Sequence, residues 1–108
     1  MGITKSNLFT EEQNNISTIA KAIGHPARVA IIQYLIKANA CINGDFVQEL
    51  GLAQATVSQH LRELKDIGII QGSIEGSRVS YCIDKSRWKE IQGYFNGLFE
   101  ELDTTGCC

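Results

Sequence analysis

Apolar positions recur at helical spacing in the first third of the chain. In the stretch EEQNNISTIAKAI, residues 11–23, isoleucine and alanine return every three or four positions, which predicts an amphipathic helix that Gly24 ends. Pro26 suits the first turn of a second helix, PARVAIIQYLIKA. The predicted buried stripe of this second helix consists of Val29, Ile32, Leu35 and Ile36. It should therefore lie largely in the core.

Two helices joined by a glycine come next. Asp45 can cap a short helix that Gly51 closes. The stretch AQATVSQHLRELKDIGII, residues 53–70, is again amphipathic, and its predicted inward face consists of Val57, Leu61 and Leu64. Two helices joined through a short turn containing glycine are the signature of a helix-turn-helix.

After Gly68 the period changes from helical to two residues. The runs IIQGSI and RVSYCI predict a β-hairpin with its tip near Glu75 to Ser77. The last run, DKSRWKEIQGYFNGLFEEL, predicts a helix that Asp84 can cap. The order of these elements predicts a winged helix-turn-helix, mainly α with a β-hairpin wing.

Length and composition indicate one folded domain. A chain of 108 residues that is 44% hydrophobic and 20% charged supports a single core. We therefore expect residues 1–108 to form one DNA-binding domain, with terminal helices for dimerisation and a short cysteine-containing tail at 103–108. The start of the chain lacks the features of a signal peptide, and no apolar run approaches the about 18 residues that span a bilayer. We expect a cytoplasmic protein without a membrane partner.

The charge is unevenly distributed along the chain. The net charge is −2, yet residues 1–53 are neutral, residues 54–89 carry +2 and the remainder carries −4. Because attraction to phosphate depends on local charge, an acidic protein can still present a basic face to DNA.

The amphipathic stretch at 53–70 is crowded with polar side chains that can read bases. A major groove admits one α-helix, whose amino-terminal residues contact base edges. The predicted contacts to double-stranded DNA, including one from the hairpin, are Gln54, Thr56, Ser58, Gln59, His60, Arg62, Lys65 and Arg78. For His60 a packing contact is the alternative. An exposed polar helix in an all-α packing domain would explain neither the preceding short helix nor the hairpin.

Three segments resemble the arsenical-resistance and metal-sensing repressors, the ArsR/SmtB family. They are AIGHPARVAIIQYLIK, LGLAQATVSQHLRELKDIGII and EGSRVSYCID, and the resemblance covers roughly residues 16–102. It implies a homodimeric repressor that binds a palindromic operator and leaves it when an effector binds. The chain departs from the family pattern at His25, where Asp is common, and at Ala53, where Ser is common. The helix after Ala53 should therefore lack a side-chain cap.

The last helix carries an aromatic-rich apolar stripe. The predicted dimer interface consists of Trp88, Ile91, Phe95, Leu98, Phe99 and Leu102. A C2 dimer would place two recognition helices roughly 34 to 36 Å apart, one turn of DNA. Gly93 and Gly97 would allow close helix approach. The alternative is that the stripe belongs to the core of a single chain.

Two of the sensor sites known in the family do not match this sequence. A zinc site on the last helix needs histidine, and residues 85–102 contain none. The thiolate site near the helix-turn-helix uses a C-x-C-like pair followed by Asp. Here Asp45 matches the Asp, but Ile42 and Gly44 replace the pair, and Cys41 stands close by.

The chain ends in TTGCC, which supplies two further thiols. Arsenite and antimonite bond to three thiolates, and soft thiolates also suit Cd(II). We expect a metal site formed by Cys41, Cys107 and Cys108, with As(III) or Sb(III) as inducer and no cofactor needed for folding. Cys82 is not assigned to it. The alternatives are a tail without function beside a buried Cys41, and a thiol-based redox or persulfide switch.

Other classes of function find less support in the sequence. The chain has no C-x-x-C motif and no cysteine before a phosphate loop, so we expect no enzyme. A winged helix that has lost DNA binding and serves protein interaction is a further alternative, against which the polar surface TVSQHLRELK argues.

Overall fold

The computed structural model describes residues 8–38, 48, 50–75 and 78–102. Within these ranges the chain forms helices α1 (Glu11–Ile23), α2 (Pro26–Ala38), α3 (Gln54–Asp66) and α4 (Lys85–Glu100), and strands β1 (Ile70–Glu75) and β2 (Arg78–Ile83). Gln48 and Leu50 are also helical, whereas most of the short helix predicted before Gly51 lies outside the described residues. The order of elements confirms the predicted fold class. In the described part of the chain, no helix is long and apolar enough to cross a membrane.

The starts of the helices follow from local hydrogen bonding. The hydroxyl of Thr10 accepts from the backbone N–H of Gln13, and the Gln13 side chain accepts from the N–H of Thr10, both at 3.0 Å. This capping box begins α1. Asp84 accepts from the backbone N–H of Arg87 at 3.1 Å and caps α4 as predicted. Ala53 precedes α3 without a side-chain cap, which confirms the expectation from the sequence.

The core forms where helices α1 to α4 meet the wing. From α3 it receives Val57, Leu61 and Leu64, the inward face predicted from the sequence. Ile19 of α1, Ile31 of α2 and Ile70 of β1 are the other large side chains that contribute most to it. Because α3 buries one face so completely, its rotation about its own axis is determined.

The buried face of α2 differs from the predicted stripe. Ile31, Ile32 and Leu35 are buried, but Val29 and Ile36 are 43% and 49% exposed. Val29 and Ile36 are seven residues apart and therefore share one face, which is turned away from Ile31 and Leu35 and lies beside Ile32. The prediction was wrong for these two positions because α2 is apolar on several faces, so spacing alone did not determine which face is buried.

The hairpin and two glycines complete the frame around α3. The strands pair antiparallel from Ile70 opposite Ile83 to Glu75 opposite Arg78, as predicted. Gly51 and Gly68, before and after α3, have φ of 71° and 82°, the left-handed region that glycine adopts without steric cost.

We predict that supplying the missing cap of α3 stabilises the fold. In Ala53→Ser the hydroxyl can accept from the first-turn N–H groups, because Ala53 already has extended backbone angles. The free energy of unfolding should rise by about 0.5–1 kcal/mol, measured by urea denaturation at one fixed protein concentration. Ala55→Ser is the matched control, since the same change at the second helical position leaves the N-cap position without a side-chain acceptor. Equal effects of the two substitutions would refute the explanation.

Candidate nucleic-acid interface

The polar side chains of α3 lie on the side opposite its buried face. The side chains predicted to contact DNA that are exposed are Gln54, Thr56, Gln59, Arg62 and Lys65. Ser58 is half-buried. At 100° per residue these positions fall on an arc separate from that of the buried residues. The structure therefore brings six of the seven predicted α3 residues onto one outward face, which we call the reading face.

Hydrogen bonds order the side chains of the reading face. Gln54 donates to the Ser58 hydroxyl at 3.2 Å. Gln59 accepts from Arg62 at 3.2 Å and donates to Glu63 at 3.1 Å. Each amide keeps further donors or acceptors for a partner. The sequence interpretation missed Glu63, which a check of the four-residue spacing to Gln59 would have found.

The seventh predicted residue, His60, faces the interior. Its side chain is 7% exposed, and Nδ1 accepts a hydrogen bond from Nε of Arg28 on α2 at 3.0 Å. Its ring lies 4.5 Å from the ring of His25, measured between centroids. His60 is therefore not on the reading face, because it lies on the side of α3 that packs on α2. The sequence interpretation also missed Arg28, which is distant in sequence and carries no local signal.

Burial lowers the pKa of His60 from its ordinary value of 6.5, and electrostatic interactions with His25 and Arg28 lower it further, whereas Glu63 opposes them. The histidine is therefore neutral near pH 7.

The remaining predicted site residues are described only in part. Arg78 begins β2, where it pairs with Glu75 across the hairpin, but the placement of its side chain is not described. The predicted metal ligands Cys41, Cys107 and Cys108 lie outside the described residues. Within the described ranges, His, Cys, Asp and Glu form no group of three or more that could hold a metal ion.

Cys82, which the sequence interpretation left out, is half-buried on β2 and disulfide-bonded. Its position in the hairpin is opposite Gln71. A cysteine in a disulfide has no thiolate to offer a metal.

The apolar stripe of α4 divides into two parts. Ile91 is 6% exposed and belongs to the core, against which Trp88 and Phe95 also pack. These three residues were predicted at the dimer interface, but α4 packs on its own domain as far as Phe95. Leu98, Phe99 and Leu102 are 41%, 69% and 71% exposed.

Comparison with known proteins places this arrangement in a family. The family model described as "Bacterial regulatory protein, arsR family" matches residues 25–71, which include α2 and the whole of α3. An HTH-type transcriptional regulator of Methanocaldococcus jannaschii, itself uncharacterized, is 35% identical over 81 residues, covering 75% of this chain and 91% of the relative. The chain belongs to the arsR family. It is a family of DNA-binding transcription regulators and not of enzymes.

Two further relatives extend the match beyond residues 25–71. The HTH-type transcriptional regulator CmtR of Mycobacterium tuberculosis is 26% identical over 96 residues, 89% of this chain and 80% of CmtR. The NMR structure of CmtR, described as a cadmium metal-sensor, matches with a TM-score of 0.54 at 27% identity, covering 85% of this chain and 95% of that one. HlyU from Vibrio cholerae has the same fold, with a TM-score of 0.67 at 22% identity over 85% of this chain and 96% of HlyU.

We predict different consequences for two exposed residues of α3. The probe is a duplex selected from a random-sequence library by repeated binding at pH 7.5, here called the selected duplex, with a scrambled duplex as reference. Gln54→Ala should weaken binding to the selected duplex by about five- to a hundredfold and leave the scrambled duplex unchanged, because it removes a base contact worth about 1–3 kcal/mol. Lys65→Ala should weaken binding to both duplexes alike, since a phosphate contact carries no sequence information. It should also reduce the salt dependence of binding. Equal losses on both duplexes for Gln54→Ala would contradict its role.

Proposed function

We propose that this regulator is a homodimeric repressor that binds a palindromic operator and leaves it when arsenite, antimonite or another thiophilic metal binds cysteine thiolates. The observation that carries the DNA-binding part is the reading face of α3, ordered and exposed opposite a fully buried face. The regulator would act in the cytoplasm, where its operator lies and thiols stay reduced.

The proposed DNA contacts divide by chemistry. Gln54, Thr56, Ser58 and Gln59 would contact base edges, and Arg62, Lys65 and Arg78 would contact phosphates. The uncapped start of α3 supports this arrangement, because its first N–H groups have no side-chain acceptor from Ala53. Such groups at a helix start can donate to a phosphate. The charge of +2 over residues 54–89 agrees in sign with a DNA partner.

The proposed dimer interface is narrower than the stripe predicted from the sequence. It consists of the exposed apolar residues at the end of α4, Leu98, Phe99 and Leu102. Leu8 and Phe9, just before α1, are also exposed, and α1 lies against α4 through a 3.2 Å hydrogen bond from Asn15 to the Tyr94 hydroxyl. Exposed apolar side chains at both ends of the described part of the chain support a second copy as partner.

The glycines of α4 agree with this surface. A Cβ built at Gly93 or Gly97 would meet nothing within 4 Å in the part of the chain that the structure describes. Each glycine costs a helix about 1 kcal/mol relative to alanine, and packing within one chain does not account for that cost. Close approach of a helix from the partner protomer would account for it.

We predict that Phe99→Glu separates the protomers. A charge placed on the apolar contact must be desolvated in the dimer, so analytical ultracentrifugation should show a monomer where the wild type is a dimer. Gln92→Glu is the control, because it adds the same charge at another exposed position of α4 and should leave the dimer intact. A Phe99→Glu variant that remains dimeric would contradict the proposed interface.

The proposed inducer site consists of Cys41, Cys107 and Cys108. Arsenite and antimonite each bond to three thiolates, and because thiolates are soft ligands they also bind Cd(II). The relative described as a cadmium metal-sensor supports a metal inducer for a chain of this length and fold. Binding that favours the DNA-free arrangement must weaken operator affinity by linkage.

A second candidate is a thiol-based redox or persulfide-responsive repressor of the same fold. The observation that favours it is the disulfide at Cys82. The chain has four cysteines, so a disulfide formed by Cys82 within one chain consumes one of the three proposed ligands. Oxidation and metalloid binding would then exclude each other, and oxidation could itself be the signal.

Fluorescence anisotropy on the selected duplex distinguishes the two candidates. Reduced protein is titrated with arsenite, antimonite, Cd(II), Zn(II) and, separately, an oxidant. The variants are a Cys107→Ser, Cys108→Ser double substitution and, as the matched control, Cys82→Ser. We expect arsenite or antimonite to release the wild type and Cys82→Ser from the selected duplex, whereas the double variant should stay bound.

The opposite pattern would support the redox candidate. If only the oxidant releases the wild type from DNA, and Cys82→Ser is no longer released, the regulator is a disulfide switch and the metalloid site is refuted. Release by none of these compounds would refute both inducer mechanisms.

A further inference from the structure

One arginine side chain joins the three helices α1, α2 and α3. Arg28 belongs to α2, and its Nη1 donates to the backbone carbonyl of Ala22 on α1 at 2.9 Å. Its Nε donates to Nδ1 of His60 on α3 at 3.0 Å. A single guanidinium therefore links α3 to the end of α1 across α2, and its planar fork holds both bonds in a defined geometry.

The contact between Arg28 and His60 requires neutral histidine. Arginine has donors only and stays charged, so the Nδ1 atom that accepts its hydrogen bond cannot carry a proton. His60 must carry its proton on Nε2. In the imidazolium form both nitrogens are donors, and an N–H on Nδ1 would face the N–H of Arg28 with two positive charges about 3 Å apart.

The groups around His60 reinforce this requirement. The ring of His25, from the turn between α1 and α2, lies 4.5 Å away at a tilt of 48°, and its own Nδ1 accepts from the backbone N–H of Ala27 at 3.0 Å. The titratable and charged groups that act on His60 within the described residues are His25, Arg28 and, from α3 itself, Glu63. Only Glu63 favours the protonated form.

The two histidines are poorly suited to hold a metal ion together. Both Nδ1 atoms accept hydrogen bonds from fixed donors, so the remaining nitrogen of each neutral ring carries the proton and has no lone pair to offer. The cluster instead connects helices.

We propose that Arg28 and His60 are a positioning pair for DNA recognition, and that protonation of His60 breaks their contact, releases α3 from Arg28 and weakens operator binding. His60 lies directly beside Gln59 on the helix, so a displacement of α3 that follows the loss of this contact would also displace the reading face. The proposal rests on DNA binding through α3 and is independent of the inducer.

The direction of the pH effect follows from linkage. When α3 is docked, the pKa of His60 is below 6.5, chiefly because of burial, then of His25 and Arg28. When α3 is released, that pKa returns toward 6.5. Above pH 6.5 His60 is neutral in both states, so its titration does not affect the affinity for the operator. As the pH falls below 6.5, His60 becomes protonated first in the released state, which favours that state. The affinity for the operator therefore drops until His60 is protonated in the docked state as well.

The test is the pH profile of binding to the selected duplex, with the scrambled duplex as reference for the general effect of charge. Between pH 7.5 and 5.5 we expect wild-type affinity for the selected duplex, relative to the scrambled one, to fall about three- to tenfold, since one pKa unit corresponds to tenfold. His60→Gln keeps an acceptor for Arg28 but cannot titrate, so its profile should be flat. His25→Gln is the matched control and should keep the pH dependence. A His60→Gln profile that falls like the wild type would overturn the proposal.

NMR of the wild-type protein provides a readout that does not depend on variants folding. Nitrogen-detected histidine spectra should show His60 with an unprotonated Nδ1 at pH 7 and titration below pH 6.5. In Arg28→Gln the titration should move to higher pH. An Nδ1-protonated His60, or titration at or above 6.5 in the wild type, would overturn the proposal. If the wild type binds no DNA at pH 7.5, the proposed function itself is refuted, whatever the protonation state of His60.

Discussion

The burial of one face of α3 is the constraint on which the molecule depends. Val57, Leu61 and Leu64 are in the core, and their burial sets the rotation of the helix. Since side chains follow one another at 100° around a helix, the polar residues must then point outward. The reading face thus follows from hydrophobic packing on the opposite side. Arg28 adds a directional bond to that packing, because it holds His60 at 3.0 Å.

The last helix is connected to the end of the recognition helix by short bonds. Arg87 of α4 donates to the carbonyl of Ile67 at 2.9 Å, and the backbone N–H of Asp84 donates to the carbonyl of Ile69 at 3.0 Å. The Arg87 side chain also packs 3.4 Å from the position a Cβ would take at Gly68. The helix that carries the proposed dimer surface is therefore hydrogen-bonded to the segment that directly follows the helix with the proposed DNA contacts. A change in the pairing of two protomers would be transmitted to the spacing of their reading faces.

Periodicity predicted the elements well and their partners less well. The bounds of α1, the inward face of α3, the cap by Asp84 and the missing cap at Ala53 all depend on neighbours within four residues, which the sequence displays directly. The exposed positions Val29 and Ile36 were mispredicted because α2 is apolar around much of its circumference. His60 was assigned to DNA because its partner Arg28 is 32 residues away. The thiol site stays a prediction, since Cys41, Cys107 and Cys108 lie outside the described residues.

The most direct test of the central claim, that α3 reads DNA with its outward face, is an NMR titration of the protein with the selected duplex and with the scrambled one. The account predicts that both duplexes shift the amides of Arg62 and Lys65, whereas only the selected duplex shifts the side-chain amides of Gln54 and Gln59. Identical shifts with the two duplexes, or shifts confined to helices other than α3, would contradict it.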